Sequence, residues 1–244
     1  MPTILDTVLP PVADALRPFL RQTFVPVVAE DDPEGPVSKF GGRPWLPDGE
    51  SWPTCVNCLV PLQLFLQLDL DALPEGAQDH GHGLAQLFYC TSDEPICAVE
   101  CEAYLPFSDC TLARVVDPRA PGMTAPLDLS PHKFPARAIV GWEAREDLPS
   151  ADELSEHGLD LDDHSAQILS DAEMPRAGDK LDGWPYWVQG LEYPSCPTCG
   201  ATMRLLFQID SEDNLPYMFG DTGCAHLTQC PEHPEVLAFA WACC

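Results

Sequence analysis

Positive charge is what this chain most conspicuously lacks: 12 Lys and Arg stand against 39 Asp and Glu in 244 residues, a formal net charge of −27. Nucleic-acid affinity rests largely on Lys and Arg neutralising phosphates, so a nucleic-acid partner is excluded. An anionic membrane surface is excluded on the same ground. Long apolar runs are missing too, and with them a membrane-spanning helix. The first twenty residues carry Asp6 and Asp14 and have neither the basic start nor the small-residue cleavage site of a secretory leader, which predicts a cytoplasmic protein. Glycine is sparse beside proline, 16 against 27, a balance that favours turns and extended segments over long helices. No glycine loop suited to a phosphate, no Gly-x-Ser-x-Gly elbow and no Ser-His-Asp order occurs, so no catalytic constellation is read and a non-enzymatic protein is expected.

Cysteine, in contrast, is abundant. Twelve thiols in a chain read as cytoplasmic argue against a disulfide framework and for metal. Comparison of the chain with itself shows how they are arranged. Gly42, Pro44, Gly49, Pro53, Cys55, Cys58, Leu64, Gln67 and Asp69 recur 141 residues later as Gly183, Pro185, Gly190, Pro194, Cys196, Cys199, Leu205, Gln208 and Asp210. The register resumes at an offset of 140, where Gly83-Leu-Ala85 to Cys90 faces Gly223-Cys-Ala225 to Cys230. Three cysteines in register imply an internal duplication.

The fold class expected is therefore α+β and mainly β, with two pseudo-equivalent β-rich halves, few short helices and zinc-knuckle turns. The organisation expected is an N-terminal helical segment with a lead-in strand at 1–36, a first β-rich half at 37–142, an acidic connection at 143–180 and a second half at 181–244. Apolar runs bounded by Pro, Gly and Asp predict strands at 62–70, 84–89, 97–105, 112–116, 136–144, 203–209 and 236–242. Val8, Val12, Leu16 and Phe19 form one apolar helical stripe, and Ser150-Ala-Asp-Glu153 is a capping box opening a short helix. Residues 143–173 hold eleven acids and one arginine, either a solvated linker or a docking surface for a basic partner.

In the second half, Cys196-Pro-Thr-Cys199-Gly presents two thiolates to one ion, with the glycine allowing the tight turn. Cys230-Pro-Glu-His233 offers two more ligands, completing a closed Cys3His set. In the first half Cys55, Cys58 and Cys90 correspond, and the fourth ligand is open among Asp93, Cys97 and Cys101. One or two Zn2+ ions are expected. Cys110, Cys224, Cys243 and Cys244 are surplus, the first two as buried thiols. His80 and His82 read as a solvated turn, and Trp45, Trp52, Trp184 and Trp187 as core.

Val37 to Pro47, Leu66-Gln-Leu-Asp69, Gly183 to Gln189, Phe207-Gln-Ile-Asp210 and Gly220-Asp-Thr-Gly223 resemble the bacterial YwqG-like family of unknown function, over nearly the whole chain. That resemblance implies a mainly β fold with related halves and no known activity. Gly41 to Trp45, with the cysteine pairs at 55/58 and 196/199, is more distantly similar to the programmed-cell-death-protein-two family, which implies chaperoning of a basic ribosomal protein. Charge and resemblance together make a protein-binding module with a basic client the leading expectation. An immunity protein that neutralises a toxin and an enzyme with an unrecognised pocket are the rivals. The oligomeric state is not legible.

Overall fold

The computed structural model describes residues 4–7, 10–127 and 131–243. Twelve strands are described: β1 (Arg21–Ala29), β2 (Lys39–Phe40), β3 (Trp45–Pro47), β4 (Gln63–Asp69), β5 (Leu84–Tyr89), β6 (Thr111–Val116), β7 (Gly122–Thr124), β8 (Arg137–Asp147), β9 (Lys180–Asp182), β10 (Arg204–Asp210), β11 (Cys224–Gln229) and β12 (Leu237–Ala242). The α-helices are short: α1 (Pro10–Leu16), α2 (Ala151–Glu156) and α3 (Asp163–Asp171). The protein is thus mainly β with few short helices. Val8 of the predicted stripe and Cys244 lie outside the described residues.

Ten strands form one sheet in the order β12-β11-β10-β9-β1-β8-β2-β4-β5-β6, while β3 and β7 form a separate ribbon. The edge strands β6 and β12 come side by side, so the sheet curls almost into a barrel. At its centre β1 runs antiparallel to β8, with a bulge between Val27 and Val28. The flanking strands cross over: β9 joins β1, and β2 joins β8. Strands at the start of the chain are therefore hydrogen-bonded to strands near its end, and one apolar core runs through both, from Phe40, Phe65 and Tyr89 to Phe207, Phe219 and Phe239.

Each side of the central pair repeats the same local devices at the sequence offset. A bulge interrupts the β4/β5 ladder between Leu64 and Leu66 and the β10/β11 ladder between Leu205 and Phe207. Gln67 accepts from the Trp45 amide (3.0 Å) and donates to the Val37 carbonyl (2.8 Å). Gln208 does the same with Tyr186 (2.8 Å) and Gly178 (2.8 Å). An uncharged amide suits such a place, because one side chain satisfies a buried N–H and a buried C=O together. Two fully buried lysines are also matched. Lys39 meets Asp32 at 2.9 Å, and Lys180 meets Asp147 at 2.9 Å.

One predicted strand is absent. Residues 97–105 instead form a single π-helical turn at Ile96–Glu100 followed by irregular turns, with Cys101 N–H bonded to Ile96 O. The reason is tertiary: Cys97 is drawn inward beside Cys55, and a disulfide fixes Cys101 to Cys110. Two short helices occupy the acidic segment. Ser150 caps α2 by accepting from Glu153 N–H, and Asp162 caps α3 through Ser165 N–H. Leu154 and Leu169 then pack with Leu16, Leu148 and Met174 in a second small core that seats α1.

Candidate metal centres

Both cysteine pairs sit on a knuckle turn that precedes a core strand. In the first, Cys55 N–H donates to Val60 O and Leu59 N–H to Cys55 O, and an isolated bridge between Thr54 and Pro61 closes the base. In the second, Cys196 N–H donates to Ala201 O and Gly200 N–H to Cys196 O, above a bridge between Ser195 and Thr202. The remaining ligand candidates follow β5 and β11, the next strands of the sheet, whose ends the ladders β4/β5 and β10/β11 hold beside the knuckles.

Cys196, Cys199, Cys230 and His233 converge, with every candidate ligand atom within 4.8 Å of the others. Cys199 Sγ lies 3.6 Å from Cys230 Sγ, and Cys230 Sγ lies 3.7 Å from His233 Nδ1. His233 reaches inward because its turn is tight: Val236 N–H bonds to His233 O, and Cys230 N–H to Val236 O. Cys55, Cys58, Cys90 and Cys97 come together within the same limit. Cys55 is 3.6 Å from Cys97, and Cys58 is 3.6 Å from Cys90. Each quartet can hold a metal ion.

Of the three candidates for the fourth ligand of the first quartet, Cys97 is the one brought in. Asp93 is exposed and outside the group. Cys101 is ruled out by its bond to Cys110, which also removes Cys110 from the free thiols expected. One disulfide thus stands beside a cluster of free thiols. Cys224 is a buried thiol, and Cys243 is half-buried.

Thiol acidity within the quartets is uneven. Burial works against the Cys196 thiolate, but the Cys199 and Thr198 N–H groups and the neighbouring thiols outweigh it and bring Cys196 down to about 6. Cys199 is raised: the Ala201 N–H lowers it, yet burial and the nearby Cys230 and Cys196 prevail. For Cys58, burial is outweighed by the Val60 backbone and by Cys97 and Cys90, leaving it at about 7. Burial raises Cys90 to about 11 and pushes Cys97 higher still. Such gradients are what clustered thiols produce, since one thiolate is stabilised by the protons its neighbours keep.

Two polar arrangements had no sequence signal. His80, expected in a solvated turn, is buried: Nδ1 meets Gln229 Oε1 at 2.7 Å and Nε2 meets Asp182 Oδ1 at 2.7 Å. It ties the loop before β5 to β9 and β11, next to Cys230. Sequence distance hid this, since the partners lie 102 and 149 residues away. His82 is exposed and bonds Asp71. Separately, a cleft of about 760 Å³ is lined by Arg21, Glu153, His157, Trp184, Tyr193 and Arg204, among others. Within it the Tyr193 hydroxyl donates to buried Glu153, whose carboxyl burial raises, and the Arg21 guanidinium lies over the Trp184 ring.

Among the described residues no helix is long and apolar enough to cross a membrane. The chain is 48% identical over 40 residues to the uncharacterized protein YpfL of Salmonella typhimurium, a match covering 16% of this chain and 9% of that protein. The profile of a family described as a domain of unknown function, DUF1963, matches residues 38–240, a span that takes in both quartets. On that match the chain belongs to the DUF1963 family.

Proposed function

We propose that this protein is a non-enzymatic, zinc-pinned interaction module for a basic protein partner, built from two copies of one unit. The observation that carries the metal reading is the pair of quartets. Zinc–thiolate bonds of about 2.3 Å in a tetrahedron separate the sulfurs by about 3.8 Å, and the 3.6 Å sulfur pairs are close to that. Four protein ligands leave no position for water or substrate, which is the pattern of a structural ion rather than a catalytic one. Duplication accounts for the matched bulges, bridges, glutamine latches and knuckles on the two sides of the sheet. The unit then begins with β1 in one copy and β8 in the other, and the two copies have exchanged these strands.

The partner reading is supported by the net charge of −27, whose field attracts basic surfaces and repels nucleic acid. The outline shared with the programmed-cell-death-protein-two family favours a chaperone-like role, and the YwqG-like motifs suit a family without an assigned activity. Elemental analysis of protein purified without added metal tests the first part: two zinc ions per chain are expected, and none would sink it. Capture of basic proteins at low and moderate salt tests the second. The Glu153–Tyr193 pair in its cleft is the observation that favours an enzyme instead, and loss of a detected activity in Glu153→Gln would support that rival.

A further inference from the structure

The two knuckles are alike in backbone and opposite in what they display. Gly200 closes the second at φ 76°, a left-handed conformation that suits glycine. At the same place in the first knuckle stands Leu59, at φ 60° and 75% exposed. A leucine there meets its own backbone and gains nothing from burial, so the fold by itself would favour glycine. Phe107 repeats the anomaly at φ 63°, again exposed. Val56, on the same knuckle, is 68% exposed, and Val99, on the π-helical turn, 72%. Tyr104 and Leu105 are exposed in the following turns.

Two of these side chains, Val56 and Phe107, share one surface. Cys97 joins the π-turn segment to the Cys55 knuckle, Asn57 Nδ2 bonds Cys110 Sγ, and Val56 and Phe107 line one cleft of about 400 Å³ with Leu112 and Phe239. That cleft lies where the edge strands β6 and β12 approach, and the Thr111 hydroxyl lining it is buried without a hydrogen-bond partner. The four thiols and the Cys101–Cys110 bond hold both loops in place. Strained, exposed and rigidly held apolar groups are a feature of binding surfaces, where preorganisation lowers the entropy lost on contact.

We propose that this surface docks an apolar segment of a partner protein that carries Lys or Arg. Charge selects that occupant: residues 93–109 hold Asp93, Glu94, Glu100, Glu102 and Asp109, all exposed, and no Lys, Arg or His. A second copy of this chain would bring the same acidic rim and a further charge of −27 to the contact, so self-association is opposed. The inference rests on the basic-partner reading and gives it a location.

Fluorescence anisotropy with a labelled twelve-residue peptide of alternating Leu and Lys tests it, beside Ser–Lys and Leu–Glu versions. The full chain is compared with Val56→Ser/Phe107→Gly, and zinc content and Tm are measured on the same samples. The Leu–Lys peptide is expected to bind the wild-type chain at least tenfold more tightly than either control peptide or than it binds the variant, at equal zinc and Tm. Should the double variant lose metal, Phe107→Gly alone, which leaves the Cys55 knuckle untouched, serves in its place. Equal binding to wild type and intact variant overturns this surface and leaves the basic partner standing. Tighter binding of Ser–Lys than Leu–Lys does the same. No binding of any Lys peptide to the wild type removes both readings, and sedimentation showing self-association that the variant abolishes would assign the surface to a second copy.

Discussion

On the proposed zinc reading, removing the ion of the second quartet should cost stability by an amount the structure allows to be worked out. Cys199 and Cys230 face each other at 3.6 Å across 31 residues of chain. An ion bound to both closes that segment into a loop in the unfolded chain as well as the folded one. The chain-entropy relation for a cross-link of this span gives about 3.7 kcal/mol. At roughly 2–4 °C per kcal/mol for a chain of this size, the expected fall in Tm is about 7–15 °C. Bonds that the ion makes only in the folded chain, such as those to Cys196 and His233, add to this, so the figure is a floor. Cys230→Ser is the cleanest perturbation, since the residue is fully buried and serine changes its volume little. Calorimetric melting of wild type, Cys230→Ser and chelator-treated protein, each with its zinc counted, is the assay. A variant that has lost one ion and still melts within about 3 °C of wild type would refute the reasoning, because the knuckle would then be held by the sheet alone.

Other consequences are directly measurable. Thiols must lose protons to bind metal, so affinity should rise with pH. Each quartet has one lowered thiol, Cys58 at about 7 and Cys196 at about 6, but the first has two raised ones, Cys90 and Cys97, against Cys199 alone in the second, so the first should release its ion at the higher pH. A colorimetric chelator assay from pH 8 to 5 on single-site variants reads the order, and a reversed order would contradict the assignment. His80→Ala leaves the Asp182 carboxylate and Gln229 short of a partner inside the protein and should cost about 2–3 kcal/mol in denaturant melts, against less than 1 kcal/mol for an exposed histidine such as His82. Gly200→Leu should destabilise by about 1 kcal/mol, whereas Leu59→Gly, which relieves the same strain, should leave stability within about 1 kcal/mol of wild type. Equal losses in both would mean that the exposed leucine side chain contributes to folding after all.

Much of the architecture was legible because it is written locally. Strands such as β4 and β10 are mainly apolar, punctuated by Gln67 and Gln208, and end at Asp69 and Asp210, so their positions follow from composition and punctuation. The cap at Ser150 needs only the residue three positions on. Ligand spacing within a knuckle is likewise local, which is why Cys55/Cys58 and Cys196/Cys199 could be paired on sight. Cys97 could not be chosen over Asp93 and Cys101 by such reasoning. All three lie within reach along the chain, and the choice turns on where the segment after β5 is led. The strand expected at 97–105 failed for the same cause: local β propensity was overridden by a thiol drawn inward and a disulfide behind it.

Sequence alone determined the charge, the repeat offset and the residue types able to ligate an ion, because these depend on identity and spacing within a few positions. Tertiary structure decided which side chains meet: the crossing of β1 and β8 between the flanking strands, the His80 contacts with Asp182 and Gln229, and an apolar surface on one knuckle only. The physical reason is that contacts across 100 residues are selected by the packing of the whole sheet, which no short window of the chain contains.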